Sequence, residues 1–409
     1  MKVAVIGAGL VGLASAHALA DEGHEVVVID REGPAAGASR GNAGWIAHTD
    51  IDPVATPDML RRVPGYLLDP LGPLAIRARY LLPVLPWLTR LILASRPEQL
   101  KRSVEAVVSI SRLAMPAWDA LSASLGMGAM IHRRGGIFAY DDARNLATAR
   151  LKFARQRGFG MNVEEIDGRA LRQLEPSLSD AVIGAAYYPD AAHVTDPRVV
   201  TEALFAAARS RGIWFERAAV TSITAGPPVS VVCEGREPVV ADAVVLAAGA
   251  WSKPLAAALG DNIPLETERG YNVSFPGVAT ITRPVAFDGQ GFVVTPLDTG
   301  LRVGGAVELA GLKLPPNHAR TRALHAKASR MLRDVPAFET GQVWMGHRPS
   351  IPDSLPVIGL AKTSARVVYA FGHGHYGLTH SAATGRIVAD LLAERTPPID
   401  LAPFSPQRF

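Results

Sequence analysis

The first thirty residues change hydrophobic pattern four times, and each change marks an element. Val3 to Ile6 are consecutive apolar residues, a run of the length and composition of a buried strand. Gly7, Gly9 and Gly12 punctuate the next stretch, a helix follows them, and Val26 to Ile29 repeat the buried-strand pattern up to Asp30. Strand, glycine turn, helix and strand in that order predict a dinucleotide-binding βαβ unit. The three glycines supply the tight turn, the close backbone approach and the helix–strand contact, and Ala8, Leu10 and Val11 between them bring helix N-terminal backbone to the phosphates. Asp30, at the end of the second strand, is placed to accept hydrogen bonds from a ribose, and its charge disfavours a 2′-phosphate there.

Beyond this unit the pattern alternates between helical and extended stretches. GPAAGASRGNAGWIA is a small-residue loop through which backbone amides can approach a flat or anionic ligand. Residues 100 to 160 read as mostly helical, broken by a strand at Gly135 to Tyr140. Strands are expected at Ile183 to Tyr188 and near Ala192 to Thr195, followed by a helix opened by Pro197 and the strand IWFE. Ser230 to Cys233 and Pro238 to Val240 suggest a paired ribbon, and ADAVVLAAGAWS a buried strand running into a second close backbone turn at Ala247 to Ala250. TPPIDLAPFSPQRF reads as an extended ending.

Composition narrows the class. At 409 residues, 48% hydrophobic and 20% charged, the chain can bury a large core and divides into two domains. A formal net charge of +4 gives mild attraction to anions, and no basic stripe with interleaved aromatics indicates nucleic acid. One cysteine, Cys233, excludes an intrachain disulfide, and in the alternating run SVVCE it reads as a buried thiol. His193, His318, His325 and His380 show no metal-ligand spacing, so no metal is expected. MKVAVIGAG enters the first strand at once, which predicts a cytoplasmic protein without a cleaved leader. Tyr80 to Ala94, YLLPVLPWLTRLILA, is too short to span a bilayer, and Pro83 and Pro86 are expected to interrupt it. Arg77, Arg79, Arg90, Arg96, Lys101 and Arg102 flank it, so two readings stand: a core-packed helix, or a peripheral contact with the inner face of an anionic membrane.

Four further segments, SRGNAG, ADAVVLAAGAWS, HRPSIPDSLPVIG and FGHGHYGLTHSAATGRIVADLL, follow the opening unit in a characteristic order. With them the chain resembles the D-amino acid oxidase superfamily of FAD-dependent oxidoreductases, and especially its D-amino acid dehydrogenase branch, over almost its whole length. The resemblance implies an α/β fold: a discontinuous Rossmann-type FAD-binding domain from residues 1–70, 195–260 and 340–409, with a mixed-sheet α+β substrate domain from 71–194 and 261–339. It implies noncovalent FAD, with Gly7, Gly9 and Gly12 on the pyrophosphate and Asp30 and Arg31 on the adenosine ribose. Ser39, Asn42, Ala43 and Gly44 are then expected on the ribityl and flavin side, Val220 at adenine, and Ala248, Gly249 and Trp251 over the cofactor. Gly374, His375, Tyr376, Gly377, Leu378 and Thr379 are expected to precede a helix whose N-terminal amides can stabilise negative charge on the reduced flavin.

The same resemblance assigns the substrate carboxylate to Arg348, whose guanidinium offers two parallel charge-assisted hydrogen bonds. Tyr271 is a second candidate for that carboxylate, with structural packing as the alternative reading. His375 and His347 are expected to tune polarity or contact the amine, and His48 is a further pocket candidate. The implied reaction is oxidative deamination of a D-amino acid or a cyclic imino acid such as D-proline or hydroxyproline. Hydride passes from Cα to flavin N5, the imine hydrolyses to a 2-oxo acid and ammonia, and the electrons go to a quinone or another acceptor. A glycine- or sarcosine-oxidase-like amine oxidase using oxygen is the alternative, and an RNA-modifying flavoprotein, a class that uses the same fold, is a further one. Trp45, His347, Ser350 and the second histidine of FGHGHYG depart from the family pattern and are expected to reshape the pocket.

Overall fold

The computed structural model describes residues 1–69 and 71–409, so the expected boundary at residue 70 lies outside the described residues. Lys2–Ile6 sits at the centre of a six-stranded sheet, flanked in parallel by Glu25–Asp30 and Ala243–Leu246. Trp214–Arg217 extends one side, and Ser364–Phe371 then antiparallel Val357–Ala361 the other. Val3, Val5, Val26, Val28, Val245 and Val368 are all fully or nearly fully buried, as expected of parallel strands covered on both faces.

The Leu10–Asp21 and Gly377–Leu392 helices cross on one face of this sheet at very short range. A Cβ at Gly385 would lie 2.6 Å from Ala14 O, so only glycine lets the two backbones meet. The long Pro97–Ser124 helix packs on the second of them, where Trp118 Nε1 donates to Leu378 O at 2.9 Å and Ser111 Oγ meets His380 Nε2 at 3.0 Å.

A second large sheet carries the other half of the molecule. Its path runs from Gln342–Ser350 through Glu266–Pro276, Gly300–Leu309, Phe292–Leu297 and Val285–Phe287 to Gly136–Tyr140, Gly184–Tyr188 and Glu164–Asp167, with Leu74–Ile76 pairing onto Gly300–Leu309. Parallel and antiparallel pairs are mixed in it. The expected ribbon exists as Val229–Cys233 paired with Val239–Ala241, and Val220–Thr224 adds a third strand.

Two local expectations are corrected. Leu81–Ala94 is one helix running through both prolines. Pro83 falls in its first turn, where an amide hydrogen has no intrahelical partner anyway, and Pro86 gives up one bond mid-helix. The C-terminal segment is also not simply extended. It forms short 3₁₀ turns at Ala402–Phe404 and Pro406–Arg408, anchored by fully buried Phe404 and by Arg408 Nε donating to Asp353 Oδ2 at 2.9 Å.

Candidate active site

An elongated cavity of about 1040 Å³ runs from the first glycine turn to the Glu266–Pro276 and Gln342–Ser350 strands. That volume lies at the upper end of the ~300–1,000 Å³ typical of small-molecule sites, as a long ligand plus a substrate requires.

At one end stands the glycine turn. Gly7 holds φ +116° and donates its N–H to Ile29 O at 2.8 Å; a Cβ there would run into Ala247 O. A Cβ at Gly12 would strike Gly7 O, so the helix starts as close to the strand as backbone permits. Gly7, Gly9, Leu10 and Val11 line the cavity, while Ala8 and Gly12 stand behind it as supports. Asp30 also lines it and is held rigidly, Oδ2 accepting from Ala8 N and Oδ1 from Glu32 N and Gly33 N, each at 2.9 Å. Arg31 stacks 3.9 Å from the Trp251 ring centroid, and Trp251 meets His347 edge-on at 5.6 Å. Val220, Ala248 and Gly249 complete this end of the lining.

The small-residue loop borders the middle. Ser39 Oγ accepts the Leu10 N–H at 3.0 Å, and Asn42 Oδ1 accepts that of Gly44 at 2.8 Å. Ser39, Asn42 and Ala43 face the cavity, whereas Gly44, at φ +75°, shapes the loop from outside it. Opposite, Gly374, His375, Gly377 and Leu378 present the turn and N-terminus of the Gly377–Leu392 helix. Tyr376 and Thr379 do not line the cavity: the Tyr376 hydroxyl donates to Asp52 O, and Thr379 Oγ1 accepts from Ala47 N, tying this helix to the loop. The backbone cradle, the rigid acid and the helix N-terminus together fit a dinucleotide along the whole cavity.

At the far end, the antiparallel ladder sets Glu268 opposite Arg348 and Gly270 opposite Gly346. Strand alternation puts these four on one face. Gly270 makes the bed on which the guanidinium rests: a Cβ there would lie 2.6 Å from Arg348 Nη1. Nη1 donates to Ala306 O at 3.1 Å, fixing the plane of the guanidinium and leaving further donors for a carboxylate. Burial opposes the Arg348 charge, and the Glu268 carboxylate opposite favours it.

The remaining candidates separate. Tyr271 is buried, and its hydroxyl is taken up already, donating to Glu308 Oε2 at 2.5 Å and accepting from Asn317 N at 3.0 Å, which favours the packing reading. His347 accompanies Arg31 and Trp251, with Nδ1 3.0 Å from Thr267 Oγ1; burial, followed by the charges of Arg269 and Arg31, lowers its pKa to about 4. His375 faces the cavity with its side chain about a third exposed; desolvation within the cavity and then the Arg348 charge lower its pKa to about 3, which favours the neutral ring near pH 7. His48 does not line the cavity; its Nδ1 lies 3.4 Å from Ile46 O and burial lowers its pKa. The other histidine of FGHGHYG, His373, is buried with Nε2 3.0 Å from Thr384 Oγ1.

Sequence reasoning missed Glu268 and Gly270. Ser350, a flagged departure, was the one signal: its hydroxyl donates to Glu268 Oε1 at 2.8 Å. Trp45 is buried against Phe138 at 5.2 Å and forms part of the cavity wall. Among the described residues no group of His, Cys, Asp and Glu is arranged to hold a metal.

Comparison with known proteins adds an independent line. The family model described as FAD dependent oxidoreductase matches residues 2–391. The chain is 41% identical to a D-amino-acid oxidase of Bradyrhizobium diazoefficiens, covering 100% of this chain and 98% of that protein. It is 32% identical to D-amino acid dehydrogenase 2 of Ralstonia nicotianae, covering 99% of each. The crystal structure of glycine oxidase from Geobacillus kaustophilus superposes with a TM-score of 0.78 at 23% identity, covering 100% of this chain and 99% of the other.

Proposed function

From the premise that the chain belongs to the FAD dependent oxidoreductase family, an FAD enzyme acting on amino acids, we propose that it oxidatively deaminates D-amino acids or cyclic imino acids, with Arg348 gripping the substrate carboxylate. The observation that carries this reading is the guanidinium laid over Gly270 and fixed by Ala306 O, at the end of the cavity opposite the dinucleotide cradle. FAD would be held noncovalently in this cradle by the Gly7–Gly12 turn, Asp30 and the Gly377–Leu392 helix N-terminus, and would supply the acceptor for the hydride of substrate Cα. The cofactor unit in this reading draws on residues 1–70, 195–260 and 340–409, each of which contributes strands to the six-stranded sheet, although Gln342–Ser350 within the last stretch pairs into the second sheet.

The protein's own residues then have separable tasks. Arg348 orients the carboxylate and, through it, the Cα–H bond, which converts binding into alignment. The Gly377–Leu392 helix directs its N-terminal amides at the cavity, where negative charge accumulates on reduction. Neutral His375 offers a hydrogen-bond partner without adding a second positive charge beside Arg348. The imine leaves and hydrolyses in water to a 2-oxo acid and ammonia, or remains cyclic when the substrate is.

For the electron acceptor this reading favours a quinone-like molecule at a membrane surface. Beside the polar cradle the cavity is walled by Leu60, Val63, Leu67, Trp87 and Leu91 from the Pro57–Leu68 and Leu81–Ala94 helices, an apolar entrance suited to an apolar carrier. Oxygen is the second reading, favoured by the name of the 41% identical relative.

The test is anaerobic bleaching of the FAD-loaded protein by a panel of D-, L-, N-methyl and cyclic amino acids, then reoxidation by air or by a soluble quinone. Bleaching by D-amino or cyclic imino acids and faster reoxidation by quinone are expected; no bleaching by the panel would reject the reading. Arg348→Lys and Arg348→Ala should raise KM at least about tenfold, a loss of ~1.4 kcal/mol or more of carboxylate binding, while FAD stays bound. An unchanged KM removes Arg348 from the site.

A further inference from the structure

The geometry points to Glu268 as the group that receives the substrate's ammonium and takes its proton before Cα is oxidised. This inference rests on the functional reading above and adds a residue to it.

Glu268 is 2% exposed, yet only half of its carboxylate is satisfied. Oε1 accepts from Ser350 Oγ at 2.8 Å, while Oε2 is buried without a hydrogen-bond partner. A buried carboxylate oxygen left unpaired is costly, and a carboxylate retained for packing alone would have both oxygens engaged. Glu268 lines the cavity, directly across the ladder from Arg348.

An amino acid arrives as a zwitterion, negative at the carboxylate and positive at the amine. Arg348 and Glu268 form the complementary pair of charges, side by side on one sheet face and held apart by separate anchors, Ala306 O for the guanidinium and Ser350 for the carboxylate. Substrate can therefore enter between them, carboxylate to Arg348 and ammonium to the free Oε2.

The other groups around Glu268 do not compete for that oxygen. His375, on the facing turn, has Nε2 3.7 Å from Oε2, beyond hydrogen-bond distance, and its desolvation and the Arg348 charge disfavour its protonation. On the Gln342–Ser350 strand, His347 is engaged with Thr267. On the Gly300–Leu309 strand, Arg302 pairs with Asp196, and Glu308 with Arg77 and Arg269. Asp50, whose charge acts on His375, pairs with Lys152.

The balance is simple. An N–H bond of the ammonium breaks and an O–H bond forms on Glu268, the nitrogen lone pair is freed, and loss of hydride from Cα to FAD leaves the iminium. Burial raises the Glu268 pKa, which strengthens it as a base while keeping it an acid weak enough to hold the proton.

The experiment uses FAD-loaded wild type, Glu268→Gln and Glu268→Asp. D-alanine and D-proline serve as substrates, and propanoate and cyclopentanecarboxylate as their counterparts without nitrogen, followed by the perturbation of the flavin spectrum. In wild type the second-order rate of bleaching should rise with pH through one ionisation above the ordinary carboxylate range. In Glu268→Gln this limb should vanish, the rate should follow deprotonation of the free amine instead, and the value at pH 7 should drop about 10²-fold. Glu268→Asp should keep the limb. The nitrogen-free acids should bind Glu268→Gln at least as tightly as wild type, since a negative charge beside Arg348 is removed.

A parallel weakening of both ligand classes means that Glu268 is structural and overturns the inference, as does an unchanged pH profile or a loss confined to substrates with basic side chains. Failure of every amino acid to bleach wild type overturns the parent reading. Glu268 is then judged on propanoate alone, and weaker affinity in the variant rejects its charge as a neighbour of the anion site.

Discussion

At the scale of single residues, the site depends on side chains that are absent as much as on those present. Gly270 is the clearest case, because the atoms a new Cβ would meet are the tip of the Arg348 side chain, not backbone. Gly270→Ala should therefore leave the strand intact and push the guanidinium off its bed. The expected outcome is a KM for carboxylate substrates raised about tenfold, ~1.4 kcal/mol, with FAD content and thermal midpoint nearly unchanged. Loss of the fold or of FAD, measured by absorbance and melting, would show that the glycine serves the sheet instead. Arg348 could be proposed from the sequence because HRPSIPDSLPVIG resembles the family segment in which this position takes the substrate carboxylate. Glu268 was not: its meaning comes from lying opposite Arg348 in a ladder joining segments eighty residues apart, and from one oxygen lacking a partner. The Tyr271 hydroxyl illustrates the converse, since its engagement by Glu308 and Asn317 N is invisible without the fold.

At the scale of elements, the opening βαβ unit was readable because every signal in it is local: two buried strands, three glycines and a terminal acid within thirty residues. The long strands Glu266–Pro276 and Gly300–Leu309 were not foreseen. Both bury residues on their two faces, including Thr267, Glu268, Arg269 and Asn272, so the alternation that announces a half-exposed strand is missing. Proline misled in Leu81–Ala94, where the first turn absorbs Pro83 and the helix tolerates Pro86. Helix pairing offers a sharper test of how elements build the cradle. The Leu10–Asp21 and Gly377–Leu392 helices both present N-termini to the cavity, and Gly385 against Ala14 O sets their separation. Because the obstacle is backbone, Gly385→Ala should cost about 1–3 kcal/mol, read as a lower denaturation midpoint, and should weaken FAD retention as the N-termini part. Exposed Arg386→Ala on the same helix is the control and should leave both readouts in place.

For the whole molecule the question is which surface delivers the electrons. The Leu81–Ala94 helix buries only Val84, Trp87 and Leu91 and leaves Leu82 at 77% and Ile92 at 57% exposed; Leu68, at the end of the Pro57–Leu68 helix, reaches 86%. Arg79, Arg90, Arg96, Lys101 and Arg102 are exposed around this apolar ridge. No helix among the described residues is long and apolar enough to cross a membrane. An exposed apolar ridge of this kind suits contact with a bilayer face or with another protein. The basic surround favours the bilayer, since each Lys or Arg near an anionic surface contributes about 1 kcal/mol. The same two helices line the apolar entrance of the cavity, so docking there would open the site toward the lipid phase where quinones reside. Cosedimentation with vesicles should then be strong for anionic lipid and absent for neutral lipid. It should fall with added salt through the Debye screening of the basic rim, and it should be lost in Leu82→Glu/Leu68→Glu, at two exposed positions outside the cavity lining, whose substrate bleaching in solution stays at the wild-type rate. Equal binding to neutral and anionic vesicles, or none to either, would detach electron delivery from the membrane. Air oxidation at the quinone rate would then make oxygen the acceptor.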